Sequence, residues 1–448
     1  MPRSVAVVGS GPGGMYVAQG LIDRSPGCRV DVFDRLPSPF GLIRGGVAPD
    51  HQTTKKISRA FEKTMLSGGV RFVGNVEIGR DVEIGEIERI YDAVVLAYGA
   101  PHDNRLGIAG EDKTNVFGSN AFVGWYNCHP DFIDLDPDLD IGTAVVIGVG
   151  NVAVDVARVL AKTRKEMSVT DLPDYAADTI EASPIEDIYM FGRRGPVEAV
   201  FTNVELREMG QLEDAQPIVH LEQLPEEVVA PHMSDRDLRL RTRNVETLRS
   251  FADVSGDGKR KRVHFRFFCS PVEILGGDRV EGVRMEKTRV EDGRAVPTGE
   301  TFEIPCGMVI TCIGSRAEAI DSVPFDDRKG IVVHEAGRVR DGLYAAGWVK
   351  RGAVGTIGTN KNDSLDVVDR MIAEFSGAER DGPDEFDRIA AGRGLRVVSY
   401  PDWQIIDRLE EEAAPDGAPR RKFATPEAML AALDGNGGQV TKTRNTGN

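Results

Sequence analysis

Short apolar runs ending in glycine recur along the chain. Val5-Ala6-Val7-Val8 meets Gly9, and Ala93-Val94-Val95-Leu96-Ala97 meets Tyr98-Gly99-Ala100. Ala144-Val145-Val146-Ile147 meets Gly148, and Met308-Val309-Ile310-Thr311-Cys312-Ile313 meets Gly314. Unbroken apolarity over so few residues suits strands buried on both faces of a parallel sheet. After Gly14 the spacing changes: Met15, Ala18, Leu21 and Ile22 share one helical face until Pro26-Gly27 stops it. Further helices are expected over 51–67, 152–165 and 364–375, with strands over 187–191 and 343–348. A late amphipathic helix carries Trp403, Ile406 and Leu409. Residues 36–50 hold three prolines and three glycines, so they form a turn-rich loop.

Two of the strand-to-helix junctions carry dinucleotide fingerprints. The first is Gly9-x-Gly11-Pro12-x-Gly14, and the next apolar run ends at Asp34, twenty positions beyond Gly14. The second is Gly148-x-Gly150-x-x-Ala153, and its following strand ends in Gly192-Arg193-Arg194. Glycines there let the backbone approach a pyrophosphate whose charge lies on the helix N-terminus. An acid at the end of the second strand hydrogen-bonds a ribose hydroxyl, whereas arginines there receive a 2′-phosphate. One site should therefore hold a flavin dinucleotide and the other NADPH, with electrons passing between them.

The expected fold is α/β, two Rossmann-like domains with the NADP domain inserted into the FAD domain. The FAD domain takes 1–102 and 317–433, the latter with a C-terminal extension, and the NADP domain takes 103–316. Residues 101–140 are polar and Asp/Pro-rich, as in a connection, and 166–186 read as an insertion in the second β-α-β unit. The last residues, 434–448, lack apolar content and are expected to be disordered. A net charge of −16 argues against nucleic acid as a partner. The five cysteines show no C-x-x-C spacing, which leaves scattered buried thiols of a reducing cytosol. No apolar stretch reaches the ~20 residues of a membrane span, and the first strand starts too early for a signal peptide. The expectation is a soluble cytoplasmic protein, monomer or dimer.

Four segments together resemble the adrenodoxin-reductase type of NADPH–ferredoxin reductase, in its mycobacterial members most of all. They are Pro39-Phe40-Gly41-Leu42-Ile43-Arg44-Gly45-Gly46-Val47-Ala48-Pro49-Asp50-His51, Gly192-Arg193-Arg194-Gly195-Pro196, Phe201-Thr202-x-x-Glu205-Leu206-Arg207-Glu208 and Gly347-Trp348-Val349-Lys350-Arg351-Gly352. The likeness runs from residue 4 to about 430. It departs at Ala353-Val354, where such proteins usually carry Pro-Thr, and is weakest over 220–250.

The resemblance implies FAD and NADP(H) as cofactors and a ferredoxin-like iron–sulfur protein as acceptor. Asp34 would hold the FAD adenosine ribose, beside Gly9, Gly11, Pro12, Gly14 and Gly99. Leu42 and Val76 would contact the flavin or its ribityl chain, and Trp348 would lie beside the isoalloxazine. Gly355, Thr356 and Ile357 would offer backbone groups to the flavin pyrimidine at the start of the 364 helix. On the NADP side Asn151, Val152, Ala153 and Val154 would hold the pyrophosphate, and Arg193 and Arg194 the 2′-phosphate. Arg105 and Glu205 would contact the nucleotide, and Gly355 would lie near the nicotinamide. His51 and Glu208 are the catalytic candidates, positioning the nicotinamide and tuning its field; hydride transfer itself needs no protein acid or base. The alternative is a hydrogen-bonded pair without a kinetic role. For the acceptor, Arg236, Arg239 and Arg243 with the run Lys259-Arg260-Lys261-Arg262 offer a basic face or simply a solvated one. Rival functions are a flavoprotein disulfide reductase, a synthase small subunit, and a non-catalytic FAD/NADP-sensing module.

Overall fold

The computed structural model describes residues 3–229, 233–377 and 379–435, so 436–448 of the expected tail lie outside the described residues. The chain forms two compact units. One holds the stretch up to His102, Asn127–Ile133 and the chain from Gly314; the other holds Asp103–Tyr126 and Asp134–Ile313. The block anticipated as 103–316 thus ends at 313 and is interrupted by a short segment that clusters with the first unit. Specific bonds hold that segment there. Lys422 Nζ donates to Asn127 O at 3.1 Å, and Arg35 Nη1 donates to the Asp131 carboxylate at 2.9 Å.

The first unit is built on a six-stranded sheet ordered Arg338–Arg340, Leu343–Ala345, Ala93–Leu96, Ser4–Val8, Arg29–Phe33, Val70–Val73. All neighbours are parallel except the edge pair Arg338–Arg340 and Leu343–Ala345. Because side chains alternate, Val5 and Val7 enter one buried cluster while Ala6 and Val8 enter the one across the sheet. After Ser4–Val8 the chain adds strands on one side, then returns to add Ala93–Leu96 on the other. That reversal leaves a crevice at the carboxyl ends of the two strands, where α/β sheets bind ligands.

The second unit repeats the device with strands Val116–Gly118, Met308–Thr311, Thr143–Ile147, Asp187–Phe191, Lys261–Arg266, Ala215–Val219, all parallel. Its reversal lies between Thr143–Ile147 and Met308–Thr311. An antiparallel ribbon, Cys269–Leu275 with Gly282–Glu291 and Arg294–Pro305, is added to it.

Four elements differ from the sequence reading. The 51–67 helix is broken into Gln52–Lys55 and Ser58–Met65, because the first turn buries nothing to hold it. The 152–165 helix ends at Ala161, and a Thr163–Glu166 capping box starts a new turn, Arg164–Met167. The 364 helix begins at Thr359, whose hydroxyl accepts from Thr356 N at 3.1 Å. Within the polar stretch 101–140 a helix, Ser119–Tyr126, buries Phe122, Trp125 and Tyr126. It was hidden by its length and its internal glycine. Among the described residues no helix is long and apolar enough to cross a membrane.

Candidate functional site

The first fingerprint sits where the sheet reversal places it. Helix Pro12–Arg24 has Pro12 in its first turn, Gly11 as an N-cap without a capping side chain, and no acid in its first turn. Its leading N–H groups are left for an anion. Two of the glycines serve different ends. A Cβ on Gly14 would stand 1.9 Å from Gly9 O, so helix and strand pack only through glycine. A Cβ on Gly11 would meet nothing within 4 Å, so that glycine leaves open room at the helix mouth. Gly9 (φ +109°) closes the turn against Ala97 O.

Asp34 ends the strand Arg29–Phe33 as a prepared acceptor. Its Oδ2 receives Ser10 N at 3.1 Å and the Ser10 hydroxyl, and its Oδ1 receives Leu36 N at 3.0 Å. Burial pushes its pKa up, and these three donors oppose that. A carboxylate offers about four lone-pair sites, so one remains for a ribose hydroxyl. Ser10 Oγ also accepts Phe40 N at 3.0 Å, which ties the 36–50 loop to the same acid. That loop turns through positive φ at Phe40 (78°) and Gly41 (50°). Such a conformation in an aromatic residue persists only where its surroundings impose it.

Other expected flavin residues lie around this crevice in the first unit. Leu42 remains 39% exposed although it is large and apolar. Val76 is buried, its N–H donating to Asp34 O at 3.0 Å. Gly99 has φ +83° with nothing near its would-be Cβ. Gly347 N donates to Asp363 Oδ2 at 2.7 Å, and Ser364 Oγ donates to Gly13 O at 3.0 Å, which brings the 347 turn and the 359 helix against the fingerprint helix. Trp348 Nε1 is buried without a protein acceptor, the state expected of a donor reserved for a cofactor. Gly355 (φ +90°) and Thr356 are exposed, and Ile357 packs on the core. His51 is half-buried at the N-cap of Gln52–Lys55, its carbonyl accepting Thr54 N at 3.0 Å.

One support in this unit was not legible in the sequence. Arg44 pairs with the fully buried Glu410, and its guanidinium lies 5.1 Å from the Trp403 ring centroid. Glu410 also accepts Phe423 N at 2.8 Å, and Lys422 Nζ donates to Arg44 O at 3.0 Å. The C-terminal extension thereby clamps the 36–50 loop.

In the second unit Gly150 caps helix Asn151–Ala161, again with no acid in the first turn. Asn151 Oδ1 accepts Thr202 N at 2.7 Å, so its side chain positions the next helix, Asn203–Glu208. Ala153 and Val154 are fully buried, whereas Val152 is 44% exposed. The arginine pair is held through its backbone: Thr288 Oγ1 donates to Arg193 O at 2.7 Å, and Phe268 N donates to Arg194 O at 3.1 Å. Arg194 Nη1 reaches Gly293 O at 3.3 Å in the turn of the antiparallel ribbon. Arg105 is exposed but engaged, with Nε on Glu111 at 2.8 Å and Nη2 on Asp112 at 2.5 Å.

Glu205 and Glu208 converge on a residue the sequence reading missed. Arg158 is fully buried, 2.9 Å from Asp155, 3.6 Å from Glu205 and 3.4 Å from Glu208. The available clue was an arginine three positions after an acid in an otherwise apolar helix. The run 259–262, expected as part of a basic face, is mostly spent internally. Lys259 Nζ bonds Leu212 O and Ala215 O, Arg260 pairs with Asp214, and Arg262 pairs with Asp187. Lys261 is buried on Leu160 O, and burial brings its pKa down to about 8. Arg236, Arg239 and Arg243 stay exposed on helix Asp235–Ser250. All five cysteines are free.

Comparison with known proteins agrees with this geometry. Residues 3–190 match the pyridine nucleotide-disulphide oxidoreductase family. The chain is 40% identical to the human mitochondrial NADPH:adrenodoxin oxidoreductase, over 96% of this chain and 91% of that protein. It is 38% identical to the NADPH-ferredoxin reductase FprA of Mycobacterium tuberculosis, over 96% of this chain and 98% of that protein. The solved structure of M. tuberculosis FprA in complex with NADPH superposes with a TM-score of 0.90 at 37% identity, covering 97% of this chain and all of that one.

Proposed function

This chain belongs to the adrenodoxin-reductase type of NADPH–ferredoxin reductases, and from that premise we propose that it oxidises NADPH and reduces a ferredoxin-like iron–sulfur protein through FAD. One observation carries the reading. Two sheets, parallel but for one edge pair in the first, each present a glycine-rich helix mouth at a strand-order reversal, followed by an acid, Asp34, in the first and an arginine pair, Arg193-Arg194, in the second. The chemistry the flavin supplies when bound is conversion of a two-electron hydride into single electrons that an iron–sulfur centre accepts.

This chain's residues bind and orient. Asp34 takes the adenosine ribose of FAD, and the N–H groups of the Pro12–Arg24 turn take the pyrophosphate, for which Gly11 leaves room. Trp348 Nε1 supplies a donor, and Gly355, Thr356 and Ile357 offer backbone groups beside the flavin ring. The Asn151–Ala161 turn takes the NADPH pyrophosphate, and Arg193 and Arg194 the 2′-phosphate. Glu205 and Glu208, held by Arg158, face the nucleotide, and His51 and Glu208 position the nicotinamide. Of the acceptor-face candidates, the arginines of Asp235–Ser250 are the better supported, because 259–262 are engaged elsewhere.

Purified protein should be yellow, bleach on anaerobic addition of NADPH, and reduce cytochrome c faster when a host ferredoxin is added. A colourless preparation that folds would overturn the reading. So would bleaching without any ferredoxin-dependent rate. The disulfide-reductase alternative is disfavoured by cysteines that are free and scattered, with burial raising the thiols of Cys28 and Cys306 to about 12.

A further inference from the structure

Helix Asp235–Ser250 also carries an arginine on its inward face. Arg236, Arg239 and Arg243 point to solvent, but Arg241, two positions from both Arg239 and Arg243, is turned inward and half-buried. Its Nη1 donates to Ala199 O, and three residues on, Asn244 Nδ2 donates to Phe201 O at 3.0 Å. The helix therefore grips the segment that runs directly on from the arginine pair. The same segment is fixed to the fingerprint, where Val200 N donates to Val149 O at 3.1 Å and Thr202 N to Asn151 Oδ1 at 2.7 Å.

Three features make Arg241 more than a strut. Its Nε is buried without an acceptor. A buried guanidinium donor left unpaired is costly unless something outside the chain meets the group. Burial lowers its pKa, and Arg194 is near enough to lower it further, while Asp237 and Glu198 act the other way. Neither acid is in direct contact with the guanidinium. Glu198 Oε2 accepts Gly195 N at 3.0 Å and Asp237 Oδ2 accepts the Ser234 hydroxyl at 2.7 Å. Among the described residues, Arg193, Arg194 and Arg241 make no ion pair with a carboxylate, in a chain of net charge −16. Three guanidinium groups without a carboxylate contact, on or beside one loop, suit an anion.

We propose that Arg241 is a third cationic ligand of the nucleotide 2′-phosphate and, with Arg193 and Arg194, sets the preference for NADPH over NADH. This rests on the assignment of the second fingerprint to NADPH. A charged donor on a dianionic phosphate is among the stronger hydrogen bonds, so its loss should be selective for the phosphorylated nucleotide.

The test uses the FAD-loaded enzyme with two probes, 2′,5′-ADP and 5′-ADP, titrated calorimetrically. Arg241→Met should weaken 2′,5′-ADP by roughly tenfold or more relative to 5′-ADP, and Arg241→Lys should recover most of that loss. The KM ratio of NADPH to NADH should move in parallel. Arg194→Ala serves as the reference. If it weakens 2′,5′-ADP selectively while Arg241→Met weakens both probes alike or neither, Arg241 is only an anchor for the Ala199 carbonyl and the proposal fails. If Arg194→Ala is itself unselective, the assignment of this fingerprint to NADPH fails and the proposal with it.

Discussion

Gly11 and Gly14 stand in one turn of chain and should fail in opposite ways. Gly14 is required by the protein itself, since a Cβ there would overlap Gly9 O at 1.9 Å. Gly14→Val should therefore abolish soluble, folded protein. Gly11 has ordinary extended backbone (φ −68°, ψ −178°) and open space around it. Gly11→Val should fold but lose its yellow colour, because the added side chain fills the room left for the pyrophosphate. Circular dichroism and the flavin absorbance per chain separate the two outcomes. A Gly11→Val protein with full FAD occupancy would mean that the crevice at Pro12–Arg24 is not the flavin site.

At the scale of elements, the loop 36–50 and the helix Tyr400–Glu412 form one structural piece although they lie far apart in the chain. Glu410 is completely buried and receives Arg44 and Phe423 N. Removing one partner of a buried pair strands the other, at about 3–5 kcal/mol. Glu410→Ala should lower the melting temperature and speed FAD release, which flavin fluorescence reports directly. Unchanged release would mean that the clamp serves stability alone. The segment Asn127–Ile133 brings a titrating group to the same loop. His129 packs its Cδ2 beneath Gly45, and its Nδ1 accepts Asp131 N at 3.3 Å, which requires that nitrogen unprotonated. Burial first, with Arg35, Arg44 and Lys422 adding to it, lowers the His129 pKa from 6.5 to about 4, against the pull of Asp131. Between those two values the unfolded chain binds a proton that the folded chain refuses, so stability rises with pH there and is lost as pH falls from 6.5 toward 4. The full effect is about 3 kcal/mol. His129→Gln, which cannot titrate, should melt with a shallower dependence on pH across that window. Equal slopes for the two proteins would remove His129 from the account.

At the scale of the whole molecule, a chain of net charge −16 repels an acidic partner unless a local face reverses the field. Helix Asp235–Ser250 supplies exposed arginines at 236, 239 and 243, whereas the run 259–262 is largely engaged with Asp214, Asp187 and backbone carbonyls. Ferredoxin-dependent cytochrome c reduction should therefore slow as salt rises, since the screening length falls to about 8 Å at physiological ionic strength. Reversing Arg239 and Arg243 to Glu should raise KM for ferredoxin more than it lowers kcat, and leave ferricyanide reduction close to that of the unmodified enzyme. Equal slowing with both acceptors would point to damage in nucleotide binding, and no slowing would place docking on another face.

The strand–glycine–helix units and the α/β class were legible in the amino-acid sequence, as were the places of the acid and of the arginine pair just after the second strand of each unit. Each depends on chain geometry within a few tens of residues: apolar period, glycine at a tight turn, and an acid or an arginine at the next strand end. The partners of charged side chains were not legible in this way. Arg44 and Glu410 are 366 positions apart, and nothing in either neighbourhood names the other. Lys259 to Arg262 read as a surface run, yet Lys261 is buried and the other three are held by Asp214, Asp187 and backbone carbonyls. Arg158 and Arg241 are the same residue type as the exposed Arg239, but burial separates them. Local spacing determines which element forms and which face it offers. Whether a charge meets water, an acid or a backbone carbonyl is decided only when distant segments pack, because its energy depends on the dielectric and the partners they bring.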